Sequence, residues 1–211
     1  MTTSIVYLIG AGAGHPDLIT VRGLHCLAEA DVVLYDHLIH PRLLRAARAD
    51  AEKIDVGMPA PAPLEQEAIC YLLAEKAREG KVIARLKWGD PFIFDSGGSE
   101  ALFLHERQIR FEVVPGLPTA LGAAAYSGVP LTYPGGGDTL TVIRGYEGER
   151  GLQIGGAEAL MAHPELIHLI GSNEGDSGDG GIVEALLRFG PHGWIRQNKA
   201  ASTRWISQYI D

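Results

Sequence analysis

Cysteine is nearly absent from this 211-residue chain. Cys26 and Cys70 stand alone, with no Cys-x-x-Cys pair and no histidine at metal-ligand spacing, so neither a disulfide framework nor a structural metal site is expected. Both read as buried thiols. Long hydrophobic runs are missing too, since none approaches the ~18 residues that suggest a membrane span. Excess positive charge is lacking: 18 Lys and Arg face 26 Asp and Glu, a net charge of -8. That balance argues against broad electrostatic binding to nucleic acid, which needs clustered cations to displace counterions. The opening MTTSIVYLIG lacks the basic start of a signal peptide and runs directly into a strand pattern, so the cytoplasm is the expected compartment.

What is present is a chain 46% hydrophobic, enough to bury the core of one large or two small domains. Ser4 to Ile9 reads as a buried first strand feeding the glycine-rich GAGAGHPD, and apolar residues from Leu18 to Ala30 recur at helical spacing. Strands follow at Asp31 to Tyr35, Lys53 to Val56, Val82 to Leu86, Phe111 to Val114 and Leu140 to Ile143. Helices are expected at Pro41 to Ala49, Glu65 to Glu79, Ser99 to Arg107 and Thr119 to Ser127, with the proline-rich MPAPAPLEQ as a loop. This alternation predicts an α/β fold with a largely parallel sheet. Near residue 145 the texture turns glycine-rich and acidic, which divides the chain into residues 1–145 and a smaller part, 146–211. The latter offers a strand at Leu166 to Ile170, a helix at Ile182 to Phe189, and a weakly patterned tail with Trp194 and Trp205.

Three clusters could carry chemistry. In the first, Gly10, Gly12 and Gly14 follow a strand, where backbone can approach a ligand and the next helix N-terminus favours anionic groups. His15 stands where a dinucleotide fingerprint needs glycine, and Pro16 follows it, which argues against that use. The second is RLKWGDPFIFDSGG, a strand end running into Gly, Asp and Pro. In open α/β sheets, ligands lie beyond the carboxyl ends of strands, so these two turns could face one crevice. The third, VVPGLPTALGAAAYSGVPLTY, joins a Pro-Gly turn to a helix of small residues. Its small residues suit close packing on backbone or on a flat ligand, and Thr119 could cap the helix or bind a ligand. For anionic ligands, Arg42, Arg45 and Arg48 recur every three residues, a solvated face or a local basic patch.

In this order, GAGAGHPDLIT, VVLYDHLIHP, LKWGDPFIF and VVPGLPTALGAAAYSGVPLT resemble the tetrapyrrole methylase family, and YDHLIHP with GDPFIF is most similar to its uroporphyrinogen-III C-methyltransferase branch. The resemblance implies two α/β lobes with S-adenosylmethionine (SAM) in the cleft between them, the second lobe shortened here. SAM contacts would fall on the first glycine loop with Ala13, on Trp88, Gly89, Asp90 and Ile93, on Thr119 and Ala120, and on Ile170. The implied reaction is methyl transfer to a pyrrole carbon of a uroporphyrinogen-III-like tetrapyrrole, with S-adenosylhomocysteine as product. Asp36 would accept a proton, and Arg42, Arg45 and Lys87 would meet substrate carboxylates. The family also implies a homodimer and a place in porphyrin biosynthesis, toward sirohaem or cobalamin.

Several positions depart from the pattern. Ala13 replaces proline, His15 aspartate and Trp88 glycine. FDSGGSE stands for FGRGGEE, so Ser96 replaces arginine and Ser99 glutamate, and Pro134 occupies another arginine position. These changes leave open a methyltransferase on a different acceptor, or a non-catalytic SAM-binding member.

Overall fold

A computed structural model of the protein describes residues 4–57, 64–126, 128, 131, 140–148, 151–154, 167–172, 185–189 and 193–197. Most of the proline-rich stretch, Pro134 and Trp205 lie outside the described residues. The chain divides into two compact units, Met1–Thr119 and Ala120–Asp211.

In the first unit, strands β1 (Ile5–Gly10), β2 (Val32–Tyr35), β3 (Glu52–Asp55), β4 (Val82–Lys87) and β5 (Phe111–Val114) alternate with helices α1 (Val21–Glu29), α2 (Pro41–Leu44), α3 (Gln66–Arg78) and α4 (Gly97–Glu106). The sheet is wholly parallel, in the order β3-β2-β4-β1-β5, as the strand and helix alternation predicts. Its two faces are covered. Tyr7, Ile9, Val33, Ala84 and Leu86 join Cys26, Leu27 and Leu43 from α1 and α2. On the other face Val6, Leu8, Leu34 and Ile83 join Ile69, Leu73, Ala101 and Leu104 from α3 and α4. Burial on both faces explains why β1 and β2 read as continuous apolar runs.

Several elements differ from the sequence reading for local reasons. Helix α1 starts at Val21 because Thr20 Oγ1 accepts the Gly23 N–H at 3.1 Å, an N-cap, while Pro16–Leu18 forms a separate 3-10 turn. The helix consequently buries Gly23, Cys26 and Leu27, leaving Val21 and Leu24 exposed. Helix α2 stops at Leu44, short of Ala49. Beyond it the Arg48 guanidinium bonds to Asp31 at 2.8 Å and to Asp50 at 2.6 Å. Arg42, Arg45 and Arg48 thus do not form one helical stripe. Cys26 and Cys70 are buried free thiols as expected, and burial pushes both pKa values up.

Helix α5 (Thr119–Tyr126) begins at the boundary between the units. In the second unit, β6 (Leu140–Gly148) pairs antiparallel with β7 (Gly151–Ile154) and parallel with β8 (Ile167–Ser172). The helix expected at Ile182 to Phe189 is instead a strand over its described residues. This strand, β9 (Ala185–Phe189), pairs antiparallel with β10 (Gly193–Gln197). A short apolar run such as ALLRF does not distinguish helix from strand by periodicity, and a backbone partner decides it. No helix among the described residues is long and apolar enough to cross a membrane.

Candidate active site

The carboxyl ends of β1, β2, β4 and β5 lie on one edge of the parallel sheet, and the predicted turns converge there. Gly12 and Gly89 exchange backbone hydrogen bonds of 3.1 Å in both directions, joining the first glycine loop to the turn after β4. Both have positive φ, +83° and +63°, which favours glycine. Gly116, in the Pro-Gly turn after β5, completes the junction. A Cβ there would stand 2.1 Å from the Gly89 carbonyl oxygen and 2.7 Å from Gly10 Cα, so only glycines allow this backbone approach.

Asp90 ties its own turn to the Pro-Gly turn. Its Oδ1 accepts the Phe92 N–H at 2.8 Å and its Oδ2 the Gly116 N–H at 3.0 Å. Trp88 fills space over the first loop: a Cβ on Gly14 would meet its indole at 3.2 Å. The indole Nε1–H donates to Thr119 Oγ1 at 2.9 Å, which shows how the bulky residue is accommodated. Ala13 is half-buried in the first loop, and Ile93 is exposed between the exposed Phe92 and Phe94. Gly10, Gly12, Gly14, Trp88, Gly89, Asp90 and Thr119 are therefore brought together in the first unit. Ala120 opens the second unit, and Ile170 lies on β8, paired in register with Ile143.

Beneath this edge lies a cluster of charged groups that the sequence reading only partly anticipates. Ile83, Arg85 and Lys87 share the face of β4 turned toward α3 and α4, and the side chains of Arg85 and Lys87 are 2% and 1% exposed. Glu100, fully buried on the first turn of α4, has an Oε1 that accepts from Arg85 Nε, Lys87 Nζ and Gln66 Nε2 at 3.1, 3.1 and 3.2 Å. Burial works to raise its pKa, but the guanidinium and ammonium outweigh it and hold the carboxyl below its ordinary value. Burial likewise opposes the Arg85 charge, and Glu100 with Asp36 more than offsets that.

Asp36 directly follows β2. Its Oδ1 accepts from Arg85 Nη2 at 2.6 Å, and its Oδ2 from the Trp88 N–H at 3.3 Å. Lys87 reaches Ser96 Oγ at 2.9 Å and Asp95 Oδ1 at 3.0 Å, as well as Glu100. Its ammonium is fully engaged inside the protein. Arg42 is exposed, 3.6 Å from Asp17 at its nearest oxygen, and Arg45 is exposed at the end of α2. Neither joins the buried cluster. The sequence motifs do not single out Arg85, Asp95 or Glu100. Their signal was present in VIARLK, where two cations alternate along an otherwise apolar strand that must be covered on both faces.

The arrangement is a doubly wound parallel sheet with glycine turns at its strand ends and a cluster of charged groups below, the edge at which open α/β sheets take ligands. The chain belongs to the tetrapyrrole (corrin/porphyrin) methylase family, whose model matches residues 5–193. It is 48% identical over 203 residues to a siroheme synthase of Chromobacterium violaceum, covering 96% of this chain and 42% of that protein. It is 46% identical over 148 residues to a uroporphyrinogen-III C-methyltransferase of Methanocaldococcus jannaschii, covering 70% of this chain and 61% of that one. The chain thus spans less than two thirds of the length of these relatives. Among solved structures, the uroporphyrin-III C-methyltransferase of Thermus thermophilus complexed with S-adenosylhomocysteine is 38% identical. The match has a TM-score of 0.62 and covers 78% of this chain and 68% of that one.

Proposed function

We propose that this chain transfers a methyl group from SAM to a ring carbon of a uroporphyrinogen-III-like tetrapyrrole, releasing S-adenosylhomocysteine. The observation that carries the reading is the junction of Gly10, Gly12, Gly89 and Gly116 at the strand ends, tied by Asp90, in a member of this family. Glycine turns, the Thr119 hydroxyl and the apolar Ile93 side chain suit a ligand with a polar amino-acid end and a flat nucleoside. SAM supplies an electrophilic methyl group on sulfur. The residues of the chain position the acceptor, exclude water and take up a proton, for which the carboxylate of Asp36 at the end of β2 is the candidate. The reading includes a homodimer acting in the cytoplasm, with the exposed Arg42 and Arg45 available to substrate carboxylates.

One observation favours a second reading, methylation of a less carboxylated acceptor. Lys87 spends its ammonium on Asp95, Ser96 and Glu100, so this buried cation has no donor left for a substrate carboxylate. Calorimetry with SAM and S-adenosylhomocysteine, followed by turnover of uroporphyrinogen III, tests both. Binding and methylated product support the first reading. Binding without product, reversed by Ser96→Arg with Ser99→Glu, supports the second. No binding at millimolar SAM would defeat both.

A further inference from the structure

We infer that the indole of Trp88 makes the cofactor site select the cationic methyl donor over its neutral product; this rests on the methyltransferase reading above. Trp88 directly follows β4 and stands where the family pattern has glycine, so its side chain is an addition to the site. The residue is held from several directions. Its backbone N–H donates to Asp36 Oδ2 at 3.3 Å, and its indole Nε1–H donates to Thr119 Oγ1 at 2.9 Å. The adjoining rim of the ring lies over the first loop, where a Cβ on Gly14 would stand 3.2 Å from Cη2 and 3.7 Å from Cζ2. Thr119 itself is close to the turn after β4, since a Cβ on Gly89 would stand 3.4 Å from its Oγ1. One long edge of the indole is therefore laid along Gly14 and Thr119, two positions at which the family resemblance implies ligand contacts. A ring anchored through its N–H edge keeps its π faces out of that bond, and Trp88 is only half-buried.

The chemistry of those faces decides what they recognise. An aromatic face carries negative electrostatic potential and attracts a cation, and tryptophan does so more strongly than phenylalanine or tyrosine. The groups behind the ring have the same sign. Asp36, which accepts from the Trp88 backbone, belongs with Asp95 and Glu100 to a set of three carboxylates that meet only two cations, Arg85 and Lys87. The Glu100 Oε2 atom is buried without a hydrogen-bond partner, so no donor there offsets the surplus. An electron-rich ring backed by surplus negative charge favours a positively charged ligand over a neutral one of the same shape.

SAM and S-adenosylhomocysteine differ in this respect. They share the amino-acid and nucleoside ends, and only SAM carries a positive sulfur. As the methyl carbon bonds to the acceptor, the electron pair of the sulfur–methyl bond stays on sulfur and the sulfonium charge disappears. The attraction between indole and donor is thus absent for the product, whose release Trp88 favours. A glycine at this position offers no such face.

Calorimetry on the full chain with SAM and with S-adenosylhomocysteine, for the wild type, Trp88→Gly and Trp88→Phe, tests the inference without turnover. The wild type should bind SAM about 3- to 30-fold more tightly than S-adenosylhomocysteine. Trp88→Gly installs the residue of the family pattern and should lower that ratio by about threefold or more, chiefly through weaker SAM binding. Trp88→Phe keeps a ring of similar shape but loses the anchor to Thr119, and its ratio should fall between the two. The inference is overturned if the wild type shows no preference for SAM, or if Trp88→Gly and Trp88→Phe both keep the wild-type ratio. Equal losses of affinity for both ligands would reduce Trp88 to a packing residue and overturn it as well. Absence of binding of either ligand to the wild type would overturn the methyltransferase reading together with this one. Binding of both with an unchanged ratio in the variants would overturn this inference alone.

Discussion

Arg85 and Asp36 meet across adjacent parallel strands, guanidinium Nη2 to carboxylate Oδ1 at 2.6 Å, with the arginine side chain almost wholly buried. The same guanidinium bonds to Glu100 through Nε, so one residue ties the ends of β2 and β4 to α4.

Replacing Arg85 by Met keeps much of the buried volume but removes a partner from both Glu100 and Asp36. Loss of one partner from a buried ion network typically costs about 3–5 kcal/mol, and Arg85→Met should destabilise the protein on that order in urea unfolding. A loss below about 1 kcal/mol would show that the network relaxes around the gap.

The two flanking acids should affect stability with opposite pH dependence. The folded pKa of Glu100 is depressed, so its contribution is full above the ordinary carboxylate value and is lost as pH falls through the folded value. That of Asp95 is raised, so its contribution is full below an unfolded value of about 4 and is lost as pH rises through the folded value. In denaturant melts at several pH values, the wild-type advantage over Asp95→Asn should shrink as pH rises. The advantage over Glu100→Gln should grow across the acid range.

Gly116→Ala would drive a methyl group against two backbones, the Gly89 carbonyl and Gly10 Cα. Neither can rotate away as a side chain would, so a cost of about 1–3 kcal/mol in stability is expected, as for an overpacked site. S-adenosylhomocysteine affinity should fall as well, because all three turns must separate. Thermal melting and calorimetry on the same sample report both effects.

Thr119→Val should leave the indole N–H of Trp88 without its acceptor at nearly constant volume. The expected loss is about 1–2 kcal/mol of stability, together with weaker SAM binding, read by calorimetry. An unchanged affinity would place Thr119 outside the ligand contacts and leave it as a partner of Trp88 alone.

Much of the first unit was legible because its strands are buried on both faces and announce themselves as apolar runs. The span Phe111–Val114 was read without error, and β1 and β2 to within a residue. Helix α2 was overextended because PRLLRAARA has good helical composition. Arg48 instead turns to Asp31, seventeen residues away, which no local pattern reveals. The strand β9 was read as a helix because its partner β10 lies in a tail with little pattern of its own. The glycine turns were legible as motifs because their close backbone approach admits no other residue. The charge cluster was not, because whether Lys87 faces solvent, a ligand or Glu100 depends on where α4 docks.

The two cations of β4 also guard the assembly of the sheet. Displaced by one residue relative to its neighbours, β4 would turn Arg85 and Lys87 toward the layer of α1 and α2, where the cluster of Ile9, Cys26, Leu27, Ala30 and Val33 offers them no counter-ion. The native alignment sets them against Glu100, a partner that reaches them only once α4 is seated. A mispaired central strand would bury two positive charges without partners, so the native alignment is favoured at the middle of the sheet.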